Sequence, residues 1–103
     1  MPIYRAGQEK RLPEWSEFSG WGIDTHPPGT LIERHHHDHD EIVIIALGKM
    51  LVRTEGGETV LGPGDSVLTR AGEEHEWLAL EETVAVHVAP RLQQGKKPGH
   101  LAR

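Results

Sequence analysis

The sequence predicts an all-β domain, a sandwich or a barrel. Three observations point there. Short apolar stretches of strand length, rich in Val, Ile, Leu and Thr, recur through the chain. Twelve glycines and seven prolines are spread between them as punctuation. No segment keeps a long apolar period of 3.6 residues, so no amphipathic helix is expected. Many short strands with regular turns are the pattern of sandwiches and barrels. With 103 residues the chain is expected to form one domain with one modest core.

The elements follow in order. Residues 1–18 are polar with a scattered Tyr4, Trp15 and Phe18, and are expected to form an N-terminal strand or a covering arm. Residues 19–90 are expected to be the barrel. Its apolar stretches are Leu31-Ile32, Ile42 to Leu47, Met50 to Val52, Thr59 to Leu61, Ser66 to Thr69, Trp77 to Leu80 and Thr83 to Ala89. Gly56-Gly57 reads as a hairpin turn, and Gly62-Pro63-Gly64-Asp65 as a second turn. Residues 91–103, with Gln93-Gln94-Gly95-Lys96-Lys97-Pro98-Gly99, read as a loose polar tail.

Composition narrows the function. Eleven Lys+Arg against sixteen Asp+Glu give a net charge of -5. An acidic chain lacks the basic footprint of a nucleic-acid binder, and it gives no reason to expect an anionic membrane surface as partner. The longest apolar run, Ile42 to Leu47, is far short of a membrane span. Met1 to Glu14 carries no apolar signal region, so a cytoplasmic location is expected. There is no cysteine, so any metal must be held by nitrogen and oxygen.

The chemistry is concentrated in one run, Arg34-His35-His36-His37-Asp38-His39-Asp40-Glu41. Alternate side chains of a strand share a face, so His35 and His37 point one way and His36 the other. Asp38-His39-Asp40 suits a tight turn. A hairpin there would carry Glu41 back beside the two histidines. His75 lies downstream after Gly72-Glu73-Glu74. Two His, one Glu and a third His make a three-nitrogen, one-oxygen site with open positions for water or substrate. His39 shares the parity of His35 and His37, so His37 with His39 is an alternative pair.

These residues resemble the cupin family. Gly29, His35, His37, Glu41 and Gly48 fill every fixed position of the first cupin motif, G-x5-H-x-H-x3-E-x6-G. Gly64, Gly72 and His75 match the second, G-x5-P-x-G-x2-H-x3-N, in which Arg70 replaces the proline and Ala79 the asparagine. The resemblance implies a double-stranded β-helix, or jelly-roll barrel. It implies one divalent metal held by His35, His37, Glu41 and His75. The glycine frame favours His35 with His37 over His37 with His39. Iron or manganese is favoured by the likeness; zinc, nickel, cobalt or copper would also fit nitrogen and oxygen donors. Dimerisation through sheets is common in the family, so a homodimer is expected. A second subunit, or the N-terminal arm, would cover the outer face of Ile42 to Leu47, which is apolar on both sides.

Around the metal, Trp77 shares the parity of His75 and is expected either to line the cavity or to seal the barrel end. Ala85, His87 and Ala89 share one face of their strand. His87 is therefore a candidate to touch substrate or transfer a proton, or else it faces solvent. Glu33 shares the parity of His35 and is a candidate pocket carboxylate or a rim residue. Cupins with this ligand set include dioxygenases, decarboxylases, isomerases and lyases. The resemblance thus implies a metal-dependent enzyme acting on a small organic acid, sugar or sugar acid, with an oxidoreductase of the dioxygenase type among the candidates. A second reading is a binding or sensing module. Leu61 to Asp65 followed by Gly72 to Trp77 is similar to the effector-binding arms of arabinose-type transcription regulators, here with no helix-turn-helix segment.

Overall fold

The computed structural model describes residues 1–7, 18–90 and 100–101. Trp15 and residues 91–99 lie outside the described residues. The described chain forms nine strands and no helix. They are β1 (Ile3–Tyr4), β2 (Phe18–His26), β3 (Leu31–His35), β4 (Glu41–Leu47), β5 (Met50–Thr54), β6 (Gly57–Leu61), β7 (Ser66–Thr69), β8 (His75–Ala79) and β9 (Thr83–Pro90). Every apolar stretch marked in the sequence contributes to a strand, and Gly57 opens the return strand of the β5–β6 hairpin.

Two antiparallel sheets face each other. One has five strands in the order β1-β7-β4-β9-β2, the other four in the order β3-β8-β5-β6. The jelly-roll expectation therefore holds. Consecutive strands alternate between sheets at several points, and this corrects one local expectation. No hairpin joins β3 to β4. β3 ends in the four-stranded sheet at His35, and β4 begins in the five-stranded sheet at Glu41. Residues 36–40 cross from one sheet to the other. His35 and Glu41 thus approach the interior from opposite walls.

The core lies between the sheets. Val43, Ile45, Val67 and Ala85 face it from one side, and Met50, Val52, Leu61, Trp77 and Ala79 from the other. β8 alternates buried with half-buried positions along its length, as a strand with one inward face must. Ile45, Val52, Leu61 and Val67 are fully buried. Each contributes about 1.5–3 kcal/mol by leaving water. Truncating Ile45 to Ala would cost about 2–5 kcal/mol.

β2 is not among the strands expected from the sequence. Its residues, with Gly20, Gly22 and Asp24, have weak β-propensity. It forms because it pairs along β9 from Phe18↔Pro90 to His26↔Thr83. Its one visible signal is the alternation of Trp21, Ile23 and Thr25. The N-terminal residues are held too. Asp65, in the Gly62–Asp65 turn, accepts hydrogen bonds from the Ala6 N–H (2.9 Å), the Gly62 N–H (2.8 Å) and the Arg5 guanidinium (3.0 Å).

Gly48, between β4 and β5, has φ 87°. A Cβ there would collide with the Glu82 carbonyl oxygen and sit 2.8 Å from Thr83 Cα. Only glycine satisfies both the backbone conformation and the close approach.

Candidate metal centre

His35 ends β3 and His75 begins β8, and the two are directly paired in the ladder. Their rings meet edge to face with centroids 4.4 Å apart. His37, two residues beyond β3, packs against both, 5.0 Å from His35 and 5.4 Å from His75. All three are buried. The Gly72 N–H donates to the His37 carbonyl (2.8 Å), and the Glu73 N–H to the Arg70 carbonyl (3.0 Å). The turn before His75 therefore forms with Arg70 in the proline position. Gly72 takes φ 80° in it, and Arg70 itself is exposed.

The donor chemistry suits a metal. His35 Nδ1 lies 2.8 Å from the Glu33 carbonyl, and His75 Nδ1 lies 3.0 Å from the Glu73 carbonyl. A carbonyl oxygen only accepts, so each Nδ1 carries the proton and each Nε2 keeps its lone pair for a ligand. Burial, reinforced by nearby His35 and His37, pushes the His75 pKa down to about 3. Its imidazole is neutral at pH 7, as a metal ligand must be. Glu41 Oε1 stands 3.7 Å from His37 Nε2. Burial raises the Glu41 carboxyl above its ordinary range, against the pull of His87 and His39. A cation in the site would favour the carboxylate instead. His35, His37 and His75 are thus packed together with Glu41 beside His37, and imidazole and carboxylate donors are of the kind that suits a divalent transition metal.

The tightest donor set includes a residue that the spacing did not reveal. One nitrogen each from His35, His37 and His100 lie within 4.8 Å of one another. The His100 ring stacks on His35 at 3.9 Å and 19°, and meets His37 edge-on at 4.9 Å. Partial burial, with His35 and His87 nearby, lowers its pKa. The expectation of a loose tail does not hold for His100 and Leu101. Leu101 forms an antiparallel bridge to His36.

A cavity of about 180 Å³ opens beside these residues. Ile32, Val43, Met50 and Trp77 supply apolar wall, and Asp24, His26, Glu41 and His87 supply polar groups. Trp77 lines the cavity and belongs to the core, with its ring 5.6 Å from His75. His87 faces inward, its Nε2 3.0 Å from Asp24 Oδ2 and its Nδ1 3.9 Å from Glu41 Oε2. Glu33 is corrected. Its side chain is exposed and does not line the cavity. The β3–β8 register shifts between Ile32 and His35, so parity counted back from His35 fails there. What Glu33 contributes is its backbone carbonyl. His39 sits 5.1 Å from His37 and turns its Nδ1 to the Asp40 carbonyl (2.9 Å). Asp24 and His26 carry no signal of their own in the sequence, because β2 carries so little.

Several solved structures share this fold. A cupin-2 domain protein from Shewanella frigidimarina is 20% identical, with 85% of this chain and 84% of that one covered and a TM-score of 0.65. KdgF from a Halomonas species is 29% identical, with 68% of each chain covered and a TM-score of 0.61. A sugar phosphate isomerase of the cupin superfamily from Silicibacter pomeroyi is 26% identical, with 75% of this chain and 52% of that one covered and a TM-score of 0.65. Comparison of the sequence with curated proteins gives no significant match. The family model for the cupin domain, Cupin_2, matches residues 22–89, well over half of the chain, and the chain belongs to that family.

Proposed function

We propose that this protein is a metal-dependent enzyme that moves a proton on a small polar molecule, a sugar, sugar acid or other organic acid. The observation that carries this reading is His87. Its imidazole lies between two carboxylates, Asp24 and Glu41, and faces the same cavity as the histidine cluster. A metal held by His35, His37, Glu41 and His75 would polarise a carbonyl or hydroxyl oxygen bound beside it. His87 would take or return the proton, with Asp24 orienting the ring. Trp77 and Ile32 from one sheet and Val43 from the other keep part of the cavity apolar, which limits water around the reacting carbon. A volume of about 180 Å³ suits a small molecule rather than a polymer.

Among the expected reaction types, this acid–base pair favours isomerisation or elimination over dioxygenation. The likeness to a sugar phosphate isomerase, at 26% identity, points the same way. Iron or manganese is our first choice of metal. The sensing alternative would need no proton-transfer group in the cavity, so His87 weighs against it.

The test is solvent exchange. Tag-free protein loaded with Mn(II) or Fe(II) is incubated in D₂O with keto acids, uronic acids and sugar phosphates. Desalted, metal-stripped products are then read by NMR. Deuterium should enter at a carbon beside a carbonyl, and His87→Ala should abolish it. Tight binding with neither exchange nor product would establish the sensing module instead.

We also propose a homodimer. β2 is the edge of the five-stranded sheet, and its outward residues Trp21 and Ile23 are 72% and 59% exposed. A second copy laid along this edge would cover them.

A further inference from the structure

We propose that His100 is an additional protein ligand to the metal, held over the histidine cluster by a short strap, His100-Leu101, that pairs with His36. The inference rests on the reading that His35 and His37 hold the ion, and it adds a donor from outside both cupin motifs.

The register carries the argument. The His36 N–H donates to the Leu101 carbonyl (3.1 Å), and the Leu101 N–H donates to the His36 carbonyl (2.8 Å). Two reciprocal bonds define a hydrogen-bonded antiparallel pair. Side chains directly opposite in such a pair share a side, and their sequence neighbours point to the other. His36 faces away from the cluster, so Leu101 does as well. His100 must then project to the side of His35 and His37. It does, stacking on one and meeting the other edge-on.

The donor geometry agrees. The three nitrogens within 4.8 Å of one another could share one ion after small side-chain rotations. His35 and His37 are buried, whereas His100 is exposed. His100 therefore approaches from the solvent side, at the mouth of the cavity that it helps to line. Four inward ligands leave positions open on an octahedral ion, and the strap fills one of them.

The experiment uses full-length protein without an affinity tag, with Co(II) as probe. Visible absorption reports the coordination sphere, and competition with a chromophoric chelator reports affinity. Three proteins are compared: wild type, His100→Ala, and Leu101→Pro, which removes the N–H that bonds to His36. We expect His100→Ala to bind one Co(II) per chain with a changed d–d spectrum. Its affinity should fall at least about tenfold, the scale on which even residues that merely orient a ligand act. Leu101→Pro should shift the spectrum the same way, because it releases the strap while keeping the imidazole.

Wild-type spectrum and affinity in His100→Ala would overturn this inference and leave the inner site standing. Failure of the wild type to bind Co(II) stoichiometrically would overturn both. A change in His100→Ala that is absent in Leu101→Pro would retain the ligand and remove the strap.

Discussion

His87 and Asp24 are diagonal neighbours across the β2–β9 pair, with 3.0 Å between Nε2 and Oδ2. The residue directly opposite His87 is Gly22. A Cβ on Gly22 would sit 2.5 Å from His87 Nε2. The glycine leaves the space through which the imidazole reaches Asp24. Gly22→Ala should therefore displace the ring without unfolding the barrel. Long-range ¹H–¹⁵N spectra of the imidazole should show that Nε2 no longer bonds to the Asp24 carboxylate. An unchanged His87 signal would refute this account of Gly22.

Metal binding should follow the cluster. His35→Ala, His37→Ala and His75→Ala should each lose the bound ion by elemental analysis, and Glu41→Gln should weaken it. His39→Ala should keep it. Loss in His39→Ala but not in His35→Ala would move the site to the alternative pair, His37 with His39. A chelator should also lower the melting temperature of loaded protein. An ion at 100 times its Kd stabilises by about 2.7 kcal/mol.

Acid should destabilise the metal-free protein through His75. Its folded pKa, about 3, lies below its ordinary value of 6.5. Between these values the unfolded chain binds the proton and the folded chain does not. Stability is therefore full above about pH 6.5 and falls as pH drops toward 3, by up to about 1.4 kcal/mol per pH unit for one group. Denaturant titrations across this range should show a shallower slope in His75→Gln.

Asp65 should matter to the N-terminal segment. Asp65→Ala removes the acceptor shared by Gly62, Ala6 and Arg5, of which Arg5 keeps the Val60 carbonyl. The cost should be about 1–3 kcal/mol. The Gly62 N–H, with Ala6 and Arg5, holds the Asp65 carboxyl below its ordinary value of 3.8. Its contribution is thus present above about pH 4 and lost as pH falls through the depressed value. Hydrogen exchange at Ile3 and Tyr4 should quicken in the variant.

The dimer is tested by light scattering. Wild type should have twice the monomer mass at micromolar concentration. Ile23→Lys should halve it while leaving the far-UV spectrum unchanged. A monomeric wild type would remove the proposal.

Much of this was legible because it is local. Strand positions follow from alternating apolar residues between turn formers, and β4 to β9 appear where those stretches lie. The pairing of His35 with His37 follows from parity within a few residues. Parity failed at Glu33, where a register shift that no residue type announces interrupts the count. It also could not show that residues 36–40 cross between sheets.

The sequence by itself determined the donor types, their spacing and the glycines that frame them, because these depend on neighbours along the chain. Only the tertiary structure decided which distant groups share the cavity. Asp24 reaches His87 because β2 pairs with β9, and His100 reaches His35 because Leu101 bonds to His36. Such contacts are set by sheet register and by the crossing of strands between two sheets, and neither leaves a fixed spacing in the sequence.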